Sequence, residues 1–158
     1  MKKPIRLPSS TVLPITTMKS KKKFTGATMR FTPIRRNMVS LFMNNPGIGF
    51  SEAEINECMN SRFDRTTVYR SIRLLLKEVF IHKIVCENGV LKYALTPAEP
   101  IEPAHAHFQC SRCKKVSCLT QTPVKPVGLP TGFQAIQINL LIHGICPQCT
   151  LESINKNY

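Results

Sequence analysis

Between residues 32 and 79 the apolar positions fall at helical intervals. Thr32-Pro33 reads as a helix cap followed by proline at the first helical position. Ile34, Met38, Leu41 and Phe42 then line one face, and Asn44-Asn45-Pro46-Gly47 ends the helix. Ser51, with Glu54 three residues on, makes a capping box that opens a short second helix with Ile55 and Met59 inward. Asp64 caps a third helix, whose Val68, Ile72, Leu75 and Val79 form one stripe. The period then changes. Phe80–Val85 and Val90–Leu95 are β-prone runs around Glu87-Asn88-Gly89, and Asn-Gly is a strong hairpin signal. Three helices followed by a hairpin is the order of a winged helix-turn-helix.

Pro97, Pro100 and Pro103 recur every third residue and predict a stiff, extended linker. Beyond it, Phe108–Cys110 and Val116–Leu119 read as short strands. A proline-rich loop follows (Pro123, Pro126, Pro130). Ile136, Ile138, Leu140 and Ile142 then alternate with Gln137, Asn139, Leu141 and His143 as a half-buried strand. The chain divides on this pattern into a basic arm (1–27), a winged-helix domain (28–96), a proline hinge (97–103), a small second domain (104–150) and a tail (151–158). The expected fold class is α+β in both domains.

Charge adds a partner class. The 158 residues carry a formal net charge of +13. Ten Lys and Arg and no acid fall in residues 1–40, whereas the rest of the chain holds twelve basic and nine acidic side chains. One strongly cationic end points to a polyanion. No run approaches the length of a membrane span, and no export signal is expected, since Pro8 and Pro14 break the only N-terminal apolar stretch.

The third helix carries candidate nucleic-acid chemistry. Opposite its apolar stripe lie Arg65, Thr66, Tyr69, Arg70, Arg73 and Lys77. Guanidinium groups there reach phosphates or guanine edges, and a tyrosine ring touches thymine methyls. A solvated basic face on a structural helix is the plainer alternative. Lys21, Lys22 and Lys23 are candidate phosphate contacts.

Four of the seven cysteines fall in two pairs, Cys110-Ser-Arg-Cys113 and Cys146-Pro-Gln-Cys149, separated by 32 residues. Each Cys-x-x-Cys aims two thiolates at one point, and two such turns complete a closed, structural zinc site, one per chain. A dithiol redox motif has the same spacing, but it needs a βαβ setting and no second pair. An odd cysteine count and paired metal spacing favour a reducing, cytoplasmic compartment. Cys58 and Cys86 read as buried and inert, and Cys118 stands alone. His105 and His107, two apart on a strand, face the same way and are candidate ligands of a second metal. The ligands they lack must come from Glu99, Glu102, another segment or water. His82 and His143 read as structural or surface residues. No nucleotide loop, no Gly-x-Ser-x-Gly, no paired catalytic carboxylates and no His-x-Glu element are present, so an enzyme is not expected.

Together these residues resemble the ferric uptake regulator family of metal-responsive repressors, from about Met29 to Cys149. Arg30-Phe-Thr32-Pro-Ile-Arg35 is similar to the start of that family's first DNA-domain helix. Asp64-Arg-Thr-Thr67-Val68-Tyr69-Arg70 is similar to its recognition helix, and Tyr93-Ala-Leu95 to the close of its wing. His105-Ala-His107-Phe108-Gln-Cys110 and Gly144-Ile-Cys146-Pro-Gln-Cys149 resemble its histidine run and zinc turns, and Pro130-Thr-Gly132-Phe133 its loop before the last strand. The resemblance implies binding of double-stranded DNA through Arg30, Thr67, Tyr69 and Arg70, a zinc-held domain that forms a homodimer, and repression. The family's regulatory metal also draws on an acid beside the wing's last leucine and a DNA-domain histidine. Here Ala94 and Gly49 stand at those places, and Ala104 and Ala106 interrupt the histidine run. The alternative from another class is a zinc-stabilised thiol redox or protein-interaction module without DNA specificity.

Overall fold

The structure is a computed structural model that describes residues 32–60, 62–97, 105–122, 124, 128–135 and 138–154. The expected basic arm, most of the proline hinge, Glu99 and Glu102 lie outside the described residues, as do Arg30 and Lys21–Lys23. In chain order the elements are α1 (Pro33–Asn44), β1 (Ile48–Ser51), α2 (Glu52–Cys58), α3 (Arg65–Lys77), β2 (Ile81–Val85), β3 (Leu91–Leu95), β4 (Ala106–Cys110), β5 (Val116–Leu119), β6 (Leu141–Gly144) and α4 (Pro147–Ile154).

The three helices form where capping and periodicity place them. Pro33 sits at the head of α1, but the Thr32 hydroxyl before it makes no capping hydrogen bond, so the proline rather than a side-chain cap marks this start. At α2 the Ser51 hydroxyl accepts from the Glu54 amide at 3.2 Å, and the Ser51 amide donates to the Glu54 carboxylate at 2.7 Å. Asp64 caps α3 by accepting from the Thr67 amide at 2.9 Å. Ile34, Met38, Leu41, Phe42, Ile55, Val68, Ile72 and Leu75 meet in one core with Phe50 and Tyr93. Beside it the buried Lys92 ammonium donates to both Glu54 oxygens at 3.1 and 2.9 Å, tying the wing to the capping box.

Val79 departs from the expected stripe. α3 ends at Lys77, and Val79 is 59% exposed with φ +54°. The chain has to reverse there to deliver Phe80 and Ile81 to β2, and a β-branched residue in the left-handed region is strained by about 1–2 kcal/mol. Val79→Gly should raise the unfolding free energy by up to about 1 kcal/mol, once glycine's own entropy cost is counted. Urea denaturation checks this, and a lowered midpoint at constant slope would show that the turn is not strained.

The larger surprise is β1, a strand not expected from the pattern. The sheet runs β2-β3-β1-β5-β4-β6. β1 pairs antiparallel with β3 on one side (Phe50↔Tyr93) and with β5 on the other (Ile48↔Ser117, Gly49↔Val116). The winged half and the cysteine-bearing half therefore share one sheet, and the Cys118 amide extends the seam by donating to the Gly47 carbonyl at 2.7 Å. The expected tail is also shorter than supposed, because α4 continues to Ile154. Of the long strand expected from residue 136, the described residues from 138 onward form only Leu141–Gly144. Its apolar members Ile138, Leu140 and Ile142 are exposed rather than half-buried, since β6 is an edge with only β4 beside it.

Candidate metal centres and nucleic-acid interface

Cys110 closes β4 and Cys113 ends the tight turn after it, while Cys146 precedes α4 and Cys149 lies in its first turn. The turn is fixed by Lys114, at φ +60°, whose amide donates to the Cys110 carbonyl at 2.9 Å. Parallel pairing of β6 with β4 sets Gly144 beside Cys110, and this carries the second pair to the first. The four sulfurs lie within 4.8 Å of one another, with Cys113 Sγ 3.8 Å from Cys146 Sγ. A zinc tetrahedron with bonds of about 2.3 Å has edges of about 3.8 Å, so the arrangement fits that ion. The amides of Cys113 and Cys146 point at Cys110 Sγ at 3.5 and 3.4 Å. Burial pushes the Cys110 thiol up, but these amides and that of Arg112 outweigh it and bring it to about 6. Burial and the neighbouring thiols push Cys149 up to about 12. A dication supplies what the second group needs to ionise. Arg112 braces the assembly by donating to the Cys149 carbonyl at 2.9 Å and to Ser153 Oγ in α4.

A second cluster gathers His82, His105, His107 and Cys118, whose ligand atoms also lie within 4.8 Å of one another. His82 Nε2 is 3.1 Å from His107 Nε2 and 3.6 Å from Cys118 Sγ. His105 and His107 come together as expected. His82 and Cys118 correct the reading of both as isolated. β5 folds back on β4 so that His107 pairs directly with Cys118. The turn after Cys110 fixes that register, so counting back from it was the signal that could have found Cys118. His82 belongs to the wing, on β2, where its partner on β3 is Ala94. It reaches the cluster only because the sheet curls. Gly49 has no side chain to contribute, and a Cβ there would lie 3.3 Å from Val116 Cβ and Cγ1.

The histidines are held neutral. Burial, then the neighbouring rings, lower His82 to about 4, and burial foremost lowers His107 to about 4. Burial lowers His105 as well, and raises the Cys118 thiol to about 11. His82 Nδ1 and His105 Nε2 are buried with no hydrogen-bond partner. The unpartnered His105 Nε2, with His82 Nε2 and His107 Nε2 3.1 Å apart beside the Cys118 thiol, suits a metal better than a purely structural role. Cys58 and Cys86 are buried in the apolar cores, as expected, and His143 is exposed. None of the seven cysteines is in a disulfide.

On α3, Arg65, Thr66, Tyr69, Arg70, Arg73 and Lys77 are exposed along one side. The Arg73 guanidinium lies 5.9 Å from the centre of the Tyr69 ring, which stiffens both. Thr67 is the exception among the expected contacts. It is half-buried, and its amide and hydroxyl both donate to the Asp64 carboxylate.

The sequence profile of the ferric uptake regulator family matches residues 26–140, well over half the chain. The chain belongs to the ferric uptake regulator family. The ferric uptake regulation protein of Synechococcus elongatus is 27% identical over 128 residues, covering 76% of this chain and 85% of the relative. That of Synechocystis is 26% identical over 127 residues, covering 75% and 76%. Among solved structures, a ferric uptake regulator from Francisella tularensis with iron aligns with a TM-score of 0.55 at 19% identity, over 78% of this chain and 96% of that one. A zinc uptake regulator complexed with zinc and DNA aligns with a TM-score of 0.58 at 21% identity, over 82% and 89%. These structures share the regulator fold, a winged helix-turn-helix followed by a dimerisation domain. No helix among the described residues is long and apolar enough to cross a membrane.

Proposed function

We propose that this member of the ferric uptake regulator family is a sequence-specific transcriptional repressor that binds double-stranded DNA as a homodimer in the cytoplasm. One structural zinc per chain, on Cys110, Cys113, Cys146 and Cys149, holds the dimerisation domain. A metal on His82, His105, His107 and Cys118 sets the affinity for DNA. The observation that carries this reading is His82, a wing residue whose ring stands against two strands of the cysteine-bearing half. An ion bound there ties the DNA-binding half to the other half, and a difference in occupancy becomes a difference in their relative orientation.

Homodimer formation is supported by the uncovered apolar side chains of the C-terminal half. Phe133, Ile138, Ile142, Ile145, Leu151 and Ile154 are all exposed, and β6 is an edge. Patches of this kind are what a second copy covers. A thiol redox module is disfavoured because both cysteine pairs converge on one point, whereas a dithiol site uses one pair. The absence of disulfides suits a reducing compartment.

DNA contact runs through α3. Arg70→Ala or Tyr69→Ala should weaken binding to a site selected from a random pool by about 1–3 kcal/mol. Changing Lys21, Lys22 and Lys23 to alanine should weaken all sequences alike and flatten the salt dependence, as for phosphate contacts. Fluorescence anisotropy at several salt concentrations measures both. Wild-type affinity in Arg70→Ala would remove α3 from the interface.

A further inference from the structure

The donor atoms of the second cluster are three imidazole nitrogens and one sulfur, with no carboxylate among the described residues near them. This set discriminates among metals. Mn²⁺ and Mg²⁺ take oxygen-rich octahedra, and non-haem Fe²⁺ sites combine histidine with carboxylate and leave positions open. A nitrogen-sulfur set of four, drawn in from three strands, matches the closed tetrahedral site of Zn²⁺.

The scaffold enforces the match. Cys118 faces His107 across a directly paired position of β4 and β5, and His105 stands two residues before His107, so the three share one face. His82 completes the set from the wing, at 3.1 Å from one of these ligand atoms and 3.6 Å from another. Ala94, the direct partner of His82 on β3, is fully buried and offers no donor. We infer that the second centre is a four-coordinate His3Cys site selective for zinc, and that the ion controlling this repressor is zinc rather than iron or manganese. This rests on the proposed reading of the second centre as the switch for DNA binding.

The test uses the full chain holding its one cysteine-bound zinc, with Co²⁺ as the probe. Co²⁺ should bind one further equivalent per chain with the intense visible bands of tetrahedral coordination and a sulfur-to-cobalt charge-transfer band, while metal analysis shows the first zinc retained. Cys118→Ser should abolish the charge-transfer band, and Zn²⁺ should displace the cobalt. Mn²⁺, followed by electron spin resonance, should stay as the free aqua ion at concentrations where Co²⁺ saturates the site. A weak six-coordinate cobalt spectrum, a charge-transfer band that survives in Cys118→Ser, or manganese taken up into a bound state would each overturn the inference. Should Cys118→Ser fail to fold, the wild-type cobalt spectrum and the manganese resonance still decide. DNA affinity is then measured with and without added zinc. Tetrahedral cobalt bound through Cys118, combined with zinc-independent DNA affinity, would uphold the site and its metal but overturn zinc as the controlling ion, and with it the switch reading.

Discussion

Cys113→Ser should cost the protein its zinc, its folded C-terminal half and its DNA binding in a single step. The reason lies in how little else holds that half together. Among the described residues after 105, the buried apolar side chains are Ala106, Cys110, Val116 and Cys149, and two of these belong to the cysteine cluster. A structural zinc contributes roughly 10 kcal/mol or more of apparent free energy, which so thin a core cannot replace. Serine also leaves Cys146 Sγ without its neighbour at 3.8 Å. The expected result is a protein with no cysteine-bound zinc by metal analysis, no cooperative thermal transition from the C-terminal half, and no dimer by sedimentation. Chelation of the wild type should reproduce it. A variant that stays dimeric and unfolds cooperatively without zinc would show that packing suffices.

Protein holding only its cysteine-bound zinc should lose stability steeply as pH falls from about 6.5 to about 4. His82 and His107 titrate near 4 in the fold, against 6.5 in their unperturbed state. The unfolded chain therefore takes up protons first. Their contribution is complete above pH 6.5 and is lost as pH falls through the folded value. A depression from 6.5 to about 4 corresponds to on the order of 3 kcal/mol for one group. The two rings titrate as a coupled set, partly screened by solvent, so the pair together is worth about the same. Urea denaturation at stepped pH measures it, and His82→Asn, which cannot titrate, should flatten the slope. Equal slopes in the two proteins would mean that His82 is protonated in the fold without cost.

The four-cysteine cluster was legible in the sequence because each cysteine pair is a local turn, and spacing alone aims its two sulfurs. The helices of the winged half were legible for the same reason, since caps and periodicity act within a few residues. The second centre was only half legible. His105 and His107 announce themselves two apart, but Cys118 joins them through the β4–β5 register and His82 through the curl of a sheet that no local pattern encodes. β1 escaped detection because Ile48-Gly49-Phe50-Ser51 is short, carries a glycine, and ends on a helix cap. It is a strand because β3 and β5 pair with it from both sides. The alternation at 136–142 predicts a half-buried strand, whereas Ile138, Leu140 and Ile142 are exposed.

β4 serves two masters. His107 and Cys110 lie three apart on this five-residue strand, so their side chains leave it on opposite faces, one toward each cluster. Between them the buried Gln109 accepts from the Glu87 amide in the wing's turn at 3.3 Å. β5 and β6 pair with the strand on either side and the cysteine cluster holds its far end, so His105 and His107 are offered to the wing at a fixed place. On the proposed reading the two metals would be ranked rather than independent. Loss of the cysteine-bound zinc would loosen the strand that carries the histidines, whereas loss of the interdomain ion would weaken DNA binding and leave the cysteine site filled.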